Sequence, residues 1–157
     1  MSIFACLAKT GTFIVSLLAA FAVVAPVANA TTATSTNCFR LSATYGWECD
    51  YSNGTDIASL VVSQNGSGYV TAFLDIYTGG GIHSLKGVVV LQQCSGTGSN
   101  CGNVAATSDS ATTDFVHIQP SHGTSFSFGH TYKAVGSAQD FTTNWNVLNV
   151  STPFIAN

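Results

Sequence analysis

Seven consecutive residues, Tyr45-Gly46-Trp47-Glu48-Cys49-Asp50-Tyr51, carry three aromatic rings and two carboxylates. Aromatic side chains offer a large, rigid contact area at low entropic cost. Their faces stack on the apolar side of a sugar ring while neighbouring carboxylates accept its hydroxyls. Tyr45, Trp47, Glu48, Asp50 and Tyr51 are therefore the candidate ligand-binding residues. The alternation of Tyr45, Trp47, Cys49 and Tyr51 is equally what a strand needs to fill a core from one face. Both uses stay open for Trp47, and core packing is the commoner one.

Catalytic chemistry finds less support. His83, His117, His122 and His130 are the possible general bases, since neutral imidazole titrates near neutral pH. No G-x-S-x-G elbow marks a nucleophile, and Ser121-His122-Gly123 and Gly129-His130-Thr131 read as turns. Glu48, Asp50, Asp56 and Asp75 could pair for glycoside hydrolysis, but seven acidic residues always offer pairs. No catalytic residue, cofactor or metal is expected. The spacing of Cys94 and Cys101 fits no zinc knuckle that His117, His122 or His130 would complete.

Residues 1–30 have the three parts of a secretory signal: Lys9 in a short polar start, an apolar centre over 13–24, and Ala28-Asn29-Ala30 after Pro26. The apolar stretch is shorter than the roughly 20 residues a membrane span needs. Cleavage after Ala30 removes Cys6 and leaves a mature chain with Arg40, Lys86 and Lys133 against seven acidic residues, a formal charge of −4. So few cations cannot neutralise a phosphate backbone, which argues against nucleic acid as a partner; no membrane insertion is expected after cleavage. The four remaining cysteines read as disulfides in an exported chain. The local pairs Cys38–Cys49 and Cys94–Cys101 are favoured, because each closes a stretch rich in turn residues.

The elements that must position these groups are strands. Residues 57–62 and 69–77 are apolar or alternating and flank Asn65-Gly66, a hairpin signal. Further strands are expected over 85–94, 103–107, 113–118, 126–138 (one strand, or two broken near Gly129) and 144–150. No window has helical periodicity. About seven strands at near-regular spacing predict an all-β, antiparallel sandwich over 37–157, with 31–36 as a disordered lead-in. Asn53, Asn65 and Asn149 each open an N-x-S/T sequon; the first two are preferred as Asn-Gly turns.

The run Ser125-Phe126-Ser127-Phe128-Gly129-His130-Thr131-Tyr132-Lys133-Ala134-Val135-Gly136 resembles the penultimate strand of fibronectin type III and other Ig-like domains, and Val88-Val89-Val90-Leu91-Gln92-Gln93-Cys94 resembles strands of small secreted bacterial Ig-like proteins. The resemblance implies an Ig-like fold with Tyr132 as a tyrosine corner, its hydroxyl bonding back upstream. It implies no activity. The expected function is a secreted, non-enzymatic extracellular module that binds a glycan, polymer or protein. The alternatives are a small secreted hydrolase, an inhibitor or small-molecule carrier, and a structural coat protein.

Overall fold

In the computed structural model, residues 31–32, 35–42 and 45–156 are described; the expected signal segment over 1–30 lies outside them. Every regular element among the described residues is a strand: β1 (Thr31–Thr32), β2 (Ser35–Arg40), β3 (Tyr45–Ser52), β4 (Ile57–Gln64), β5 (Tyr69–Tyr77), β6 (His83–Ser95), β7 (Gly102–Thr113), β8 (Phe115–Ile118), β9 (Thr124–Ser125), β10 (His130–Asp140), β11 (Trp145–Ser151) and β12 (Ile155–Ala156). The described residues are all-β and make both expected disulfides, Cys38–Cys49 and Cys94–Cys101. Twelve segments exceed the seven or so expected, because the count includes the two-residue strands β1, β9 and β12 and the strands β2 and β3 at the start of the second sheet.

Two sheets result. The first runs β1-β11-β10-β6-β7 with β12 beside β10, and the second runs β2-β3-β4-β5-β8 with β9 beside β5. All pairs are antiparallel except β1 with β11. The period-2 pattern sets which residues meet. Ala58, Leu60, Val62, Val70, Ala72, Leu74 and Ile76 of β4 and β5 pack against Leu85, Val89, Leu91, Tyr132, Ala134 and Ala138 of β6 and β10. The sheets approach closely at Gly87 and Gly136. A Cβ at Gly87 would lie 2.4 Å from Ile118 Cδ1, and one at Gly136 would lie 2.8 Å from Leu60 Cδ1.

Within the stretch 31–36, expected as a lead-in, Thr31 and Thr32 pair with Trp145 and Asn146, and Ser35 and Thr36 lie opposite Ser52 and Tyr51. β-branched threonine suits an extended edge, and edge pairing through the backbone leaves no apolar signature. The 57–62 and 69–77 hairpin forms with a different turn. Gly68 N–H donates to the Asn65 carbonyl at 2.9 Å, and the left-handed residue is Gly68 (φ 74°), not the Asn-Gly pair. The 126–138 stretch breaks at Gly129 (φ 79°) before β10.

Candidate functional site

Strand alternation splits the aromatic–acidic cluster of β3 between two surfaces. Cys49 and Tyr51 point into the core; Tyr51 is 5% exposed, and its hydroxyl donates to the Ser151 carbonyl at 3.1 Å. The Tyr51 ring thus packs in the core. Trp47 is half-buried and packs against the core. Tyr45 is 67% exposed. Tyr45, Trp47, Arg40 and Phe154 line an edge groove of about 220 Å³. Phe154 also stands against Gly98 in the Cys94–Cys101 loop, where a Cβ would come within 3.0 Å of its ring. The groove and the second disulfide loop are therefore neighbours.

Glu48 and Asp50 face the opposite way, onto the outer face of the second sheet. Cross-strand register gathers partners there that are distant in sequence. Asn37, Asp50, Ser59, Asp75 and His117 are successive opposite residues on β2, β3, β4, β5 and β8 and form one polar row. On one side of it runs the row Phe39, Glu48, Val61 and Phe73, and on the other Ser52, Ile57, Tyr77 and Phe115. Tyr77 and Phe115 stack with ring centroids 4.8 Å apart, and Phe73 tilts against His117 at 5.3 Å. Phe39 and Phe73 stand three strand spacings apart, roughly 14 Å. Phe39, Ile57, Tyr77 and Phe115 are all exposed large apolar side chains.

Asp50, Asp75 and His117 are tied down on this face. Ser59 donates its hydroxyl to Asp50, and His117 Nδ1 meets Asp75 while its Nε2 lies 3.2 Å from Gln119 Oε1. Burial pushes the His117 pKa down, but the bonds to Asp75 and Gln119 and the Asp75 charge outweigh it and raise it overall. The Glu48 carboxyl is raised by burial first, then by Asp50 and Asp75. The Tyr77 phenol is raised by burial and by the same three carboxylates, Asp75 first. Three carboxylates against one imidazolium leave the face net acidic.

The other histidines are engaged separately. His83 Nδ1 meets Asp140 Oδ2 at 2.5 Å, His122 Nδ1 meets the adjacent Ser121 Oγ at 2.6 Å, and His130 Nδ1 lies 3.2 Å from the Cys94 carbonyl. Among the described residues, no serine–histidine–carboxylate chain of hydrogen bonds forms. Asn53 and Asn65 act as turn formers: Asn53 Oδ1 accepts Thr55 and Asp56 N–H, and Asn65 Oδ1 accepts Ser67 and Tyr69 N–H. Asn149 is exposed and has a positive φ of 54°. Among the described residues no helix is long and apolar enough to cross a membrane.

The sequence singles out Glu48 and Asp50 and offers Asp75 and His117 only as catalytic candidates; the cross-strand register brings these four together with Phe39, Phe73, Tyr77 and Phe115, which local sequence does not group. The available signal was the outward half of the 69–77 alternation, Tyr69, Thr71, Phe73, Asp75 and Tyr77, whose composition is too aromatic for an idle solvent face. No known protein family, curated protein or solved structure matches this chain.

Proposed function

We propose that this chain is a secreted, non-enzymatic binding module of Ig-like type whose outer second-sheet face holds a neutral, hydroxyl-rich glycan. The observation that carries the reading is the polar row Asp50–Ser59–Asp75–His117 set between two aromatic rows on an exposed sheet. Rings cover the C–H faces of sugars, and carboxylates accept their hydroxyl protons. An acidic face repels polyanions such as nucleic acid or sulfated chains, which leaves neutral or amino sugars as the complementary ligands. Two disulfides suit an oxidising, extracellular setting. The Ig-like reading is supported by Tyr132: it is fully buried, its hydroxyl accepts the Ser127 N–H at 2.9 Å, and it lies 3.5 Å from the Ser125 carbonyl.

Depletion from solution by insoluble neutral polysaccharides tests the function. Wild type is compared with Tyr77→Ala, Phe115→Ala and the groove control Tyr45→Ala, all first shown folded by near-UV dichroism and thermal melting. The reading expects depletion of wild type and Tyr45→Ala, with affinity lowered about tenfold or more in the two face variants, the equivalent of about 1.4 kcal/mol. Absence of depletion by every neutral polysaccharide, or depletion that folded face variants retain, would sink it.

A further inference from the structure

Away from the aromatic face, three side chains from separate parts of the chain converge at one end of the core. Asp56 lies in the β3–β4 connection, His83 opens β6 and Asp140 closes β10. Each offers a ligand atom, and these atoms all lie within 4.8 Å of one another. Asp56 and Asp140 are 0% and 1% exposed, and the His83 side chain, at 13%, forms the rim.

The hydrogen bonds satisfy Asp140 and fall short at Asp56. Asp140 Oδ1 accepts the Thr142 N–H at 2.8 Å and the Thr143 N–H at 3.4 Å, while Oδ2 meets His83 Nδ1 and, at 2.9 Å, the Thr143 hydroxyl. Asp56 Oδ2 accepts from Asn53 Nδ2 at 3.1 Å and faces that same hydroxyl at 3.1 Å. A hydroxyl has one proton to donate, so Thr143 serves only one of the two carboxylates at a time. Asp56 Oδ1 is buried and has no hydrogen-bond partner. Two buried carboxylates against at most one imidazolium leave a net negative charge, and among the described residues neither carboxylate is ion-paired with a lysine or arginine. A buried charge without compensation is strongly unfavourable. A proton on Asp56 Oδ2 would relieve the charge and the shared hydroxyl but leave Oδ1 bare. A cation answers both deficits.

We propose that Asp56, His83 and Asp140 bind one divalent cation of the zinc or manganese class, with the Thr143 hydroxyl or a water completing the shell. One imidazole nitrogen and two carboxylates match the N/O ligand sets of such ions, whereas calcium and magnesium prefer all-oxygen shells of six or more ligands. Two carboxylates neutralise the ion's two charges, and His83 binds as the neutral imidazole, releasing any proton it carried. The site is structural. Asp56 leads into the second sheet and His83 and Asp140 belong to the first, so the ion ties the sheets together at the end away from the Cys94–Cys101 loop. Sequence spacing shows no trace of it, because 27 and 57 residues separate the ligands.

Zinc uptake by the purified full chain tests the site. The protein is incubated with zinc, freed of excess by gel filtration and assayed for bound metal, while melting is followed with zinc, manganese, calcium or a chelator. One equivalent of zinc per chain is expected, with a melting temperature several degrees higher that the chelator reverses. Asp56→Asn keeps the side-chain shape and should weaken binding at least a hundredfold and abolish the zinc-dependent shift. His83→Gln should do the same and stands in if Asp56→Asn misfolds. Wild type that takes up neither zinc nor manganese and melts unchanged in chelator would overturn the proposal. So would uptake that survives in a folded variant, or a response to calcium alone.

Discussion

His117 and Asp75 stand directly opposite each other across β8 and β5, with imidazole Nδ1 on carboxylate Oδ1, at the end of the polar row that crosses the second sheet. The second ring nitrogen faces Gln119 Oε1, so the protonated ring finds an acceptor on both sides. Burial opposes the proton on this ring, and the bonds to Asp75 and Gln119 together with the Asp75 charge hold it.

A raised folded-state pKa at His117 means that the folded chain holds this proton more tightly than the unfolded one. Its stabilising contribution is complete below the ordinary imidazole value of 6.5. It is lost as pH rises through the raised value. The pair is partly exposed, so the effect on stability should stay below about 1 kcal/mol. An NMR titration should show the His117 pKa falling in Asp75→Asn, where the anionic partner is gone. An unchanged pKa in that variant would show that Asp75 does not hold the imidazolium.

At Gly87 of β6 the second sheet comes close. An added Cβ would crowd Ile118 Cδ1 at 2.4 Å, Leu74 Cδ2 at 3.0 Å and Ile76 Cδ1 at 3.1 Å. All three are buried core side chains with little room to turn. Gly87→Ala should therefore destabilise by about 1–3 kcal/mol, as overpacking does, despite the better strand propensity of most other residues. Urea melting checks it, and a variant as stable as wild type would mean that the sheets separate freely at this point.

How far the sequence could be read depended on where apolar side chains were needed. β5 is legible from end to end because Val70, Ala72, Leu74 and Ile76 all face the core. β7 is legible only in its first half, the strand expected over 103–107; its continuation to Thr113 is a sheet edge with little burial, whose backbone pairs with β6 while its side chains stay mostly polar. The disulfides were legible from the even cysteine count of an exported chain and from the turn-rich stretches that the local pairs close. The site was legible only in part. Periodicity showed that Glu48 and Asp50 share a face, but their neighbours Ser59, Asp75 and His117 come from register, which local sequence does not specify. Which way the Tyr45, Trp47, Tyr51 alternation faces is not legible, because an inward and an outward aromatic face have the same period; Cys49 and the core beyond it turn Tyr51 inward.

The Cys94–Cys101 bond closes a seven-residue separation between β6 and β7. A loop of this size gives roughly 2.5 kcal/mol by chain-entropy bookkeeping. Replacing both cysteines by alanine should lower stability by about that amount and leave strand content unchanged by far-UV dichroism. A loss of strand signal would show instead that this bridge is required for β6 and β7 to pair.

The three rings of the β3 cluster should separate by their burial. Tyr51→Phe keeps the packed ring and removes only the bond to Ser151, so it should cost about 1 kcal/mol. Tyr51→Ala empties a core position and should cost about 3–5 kcal/mol. Tyr45→Ala removes a largely exposed ring and should change stability by no more than about 0.5 kcal/mol. Trp47→Ala should fall between them, because its ring is half-buried against the core at the groove. Urea melts of the four variants check the order. If Trp47→Ala is as mild as Tyr45→Ala, the indole adds little to the core, and loss of glycan depletion in that folded variant would move the binding site from the sheet face to the groove.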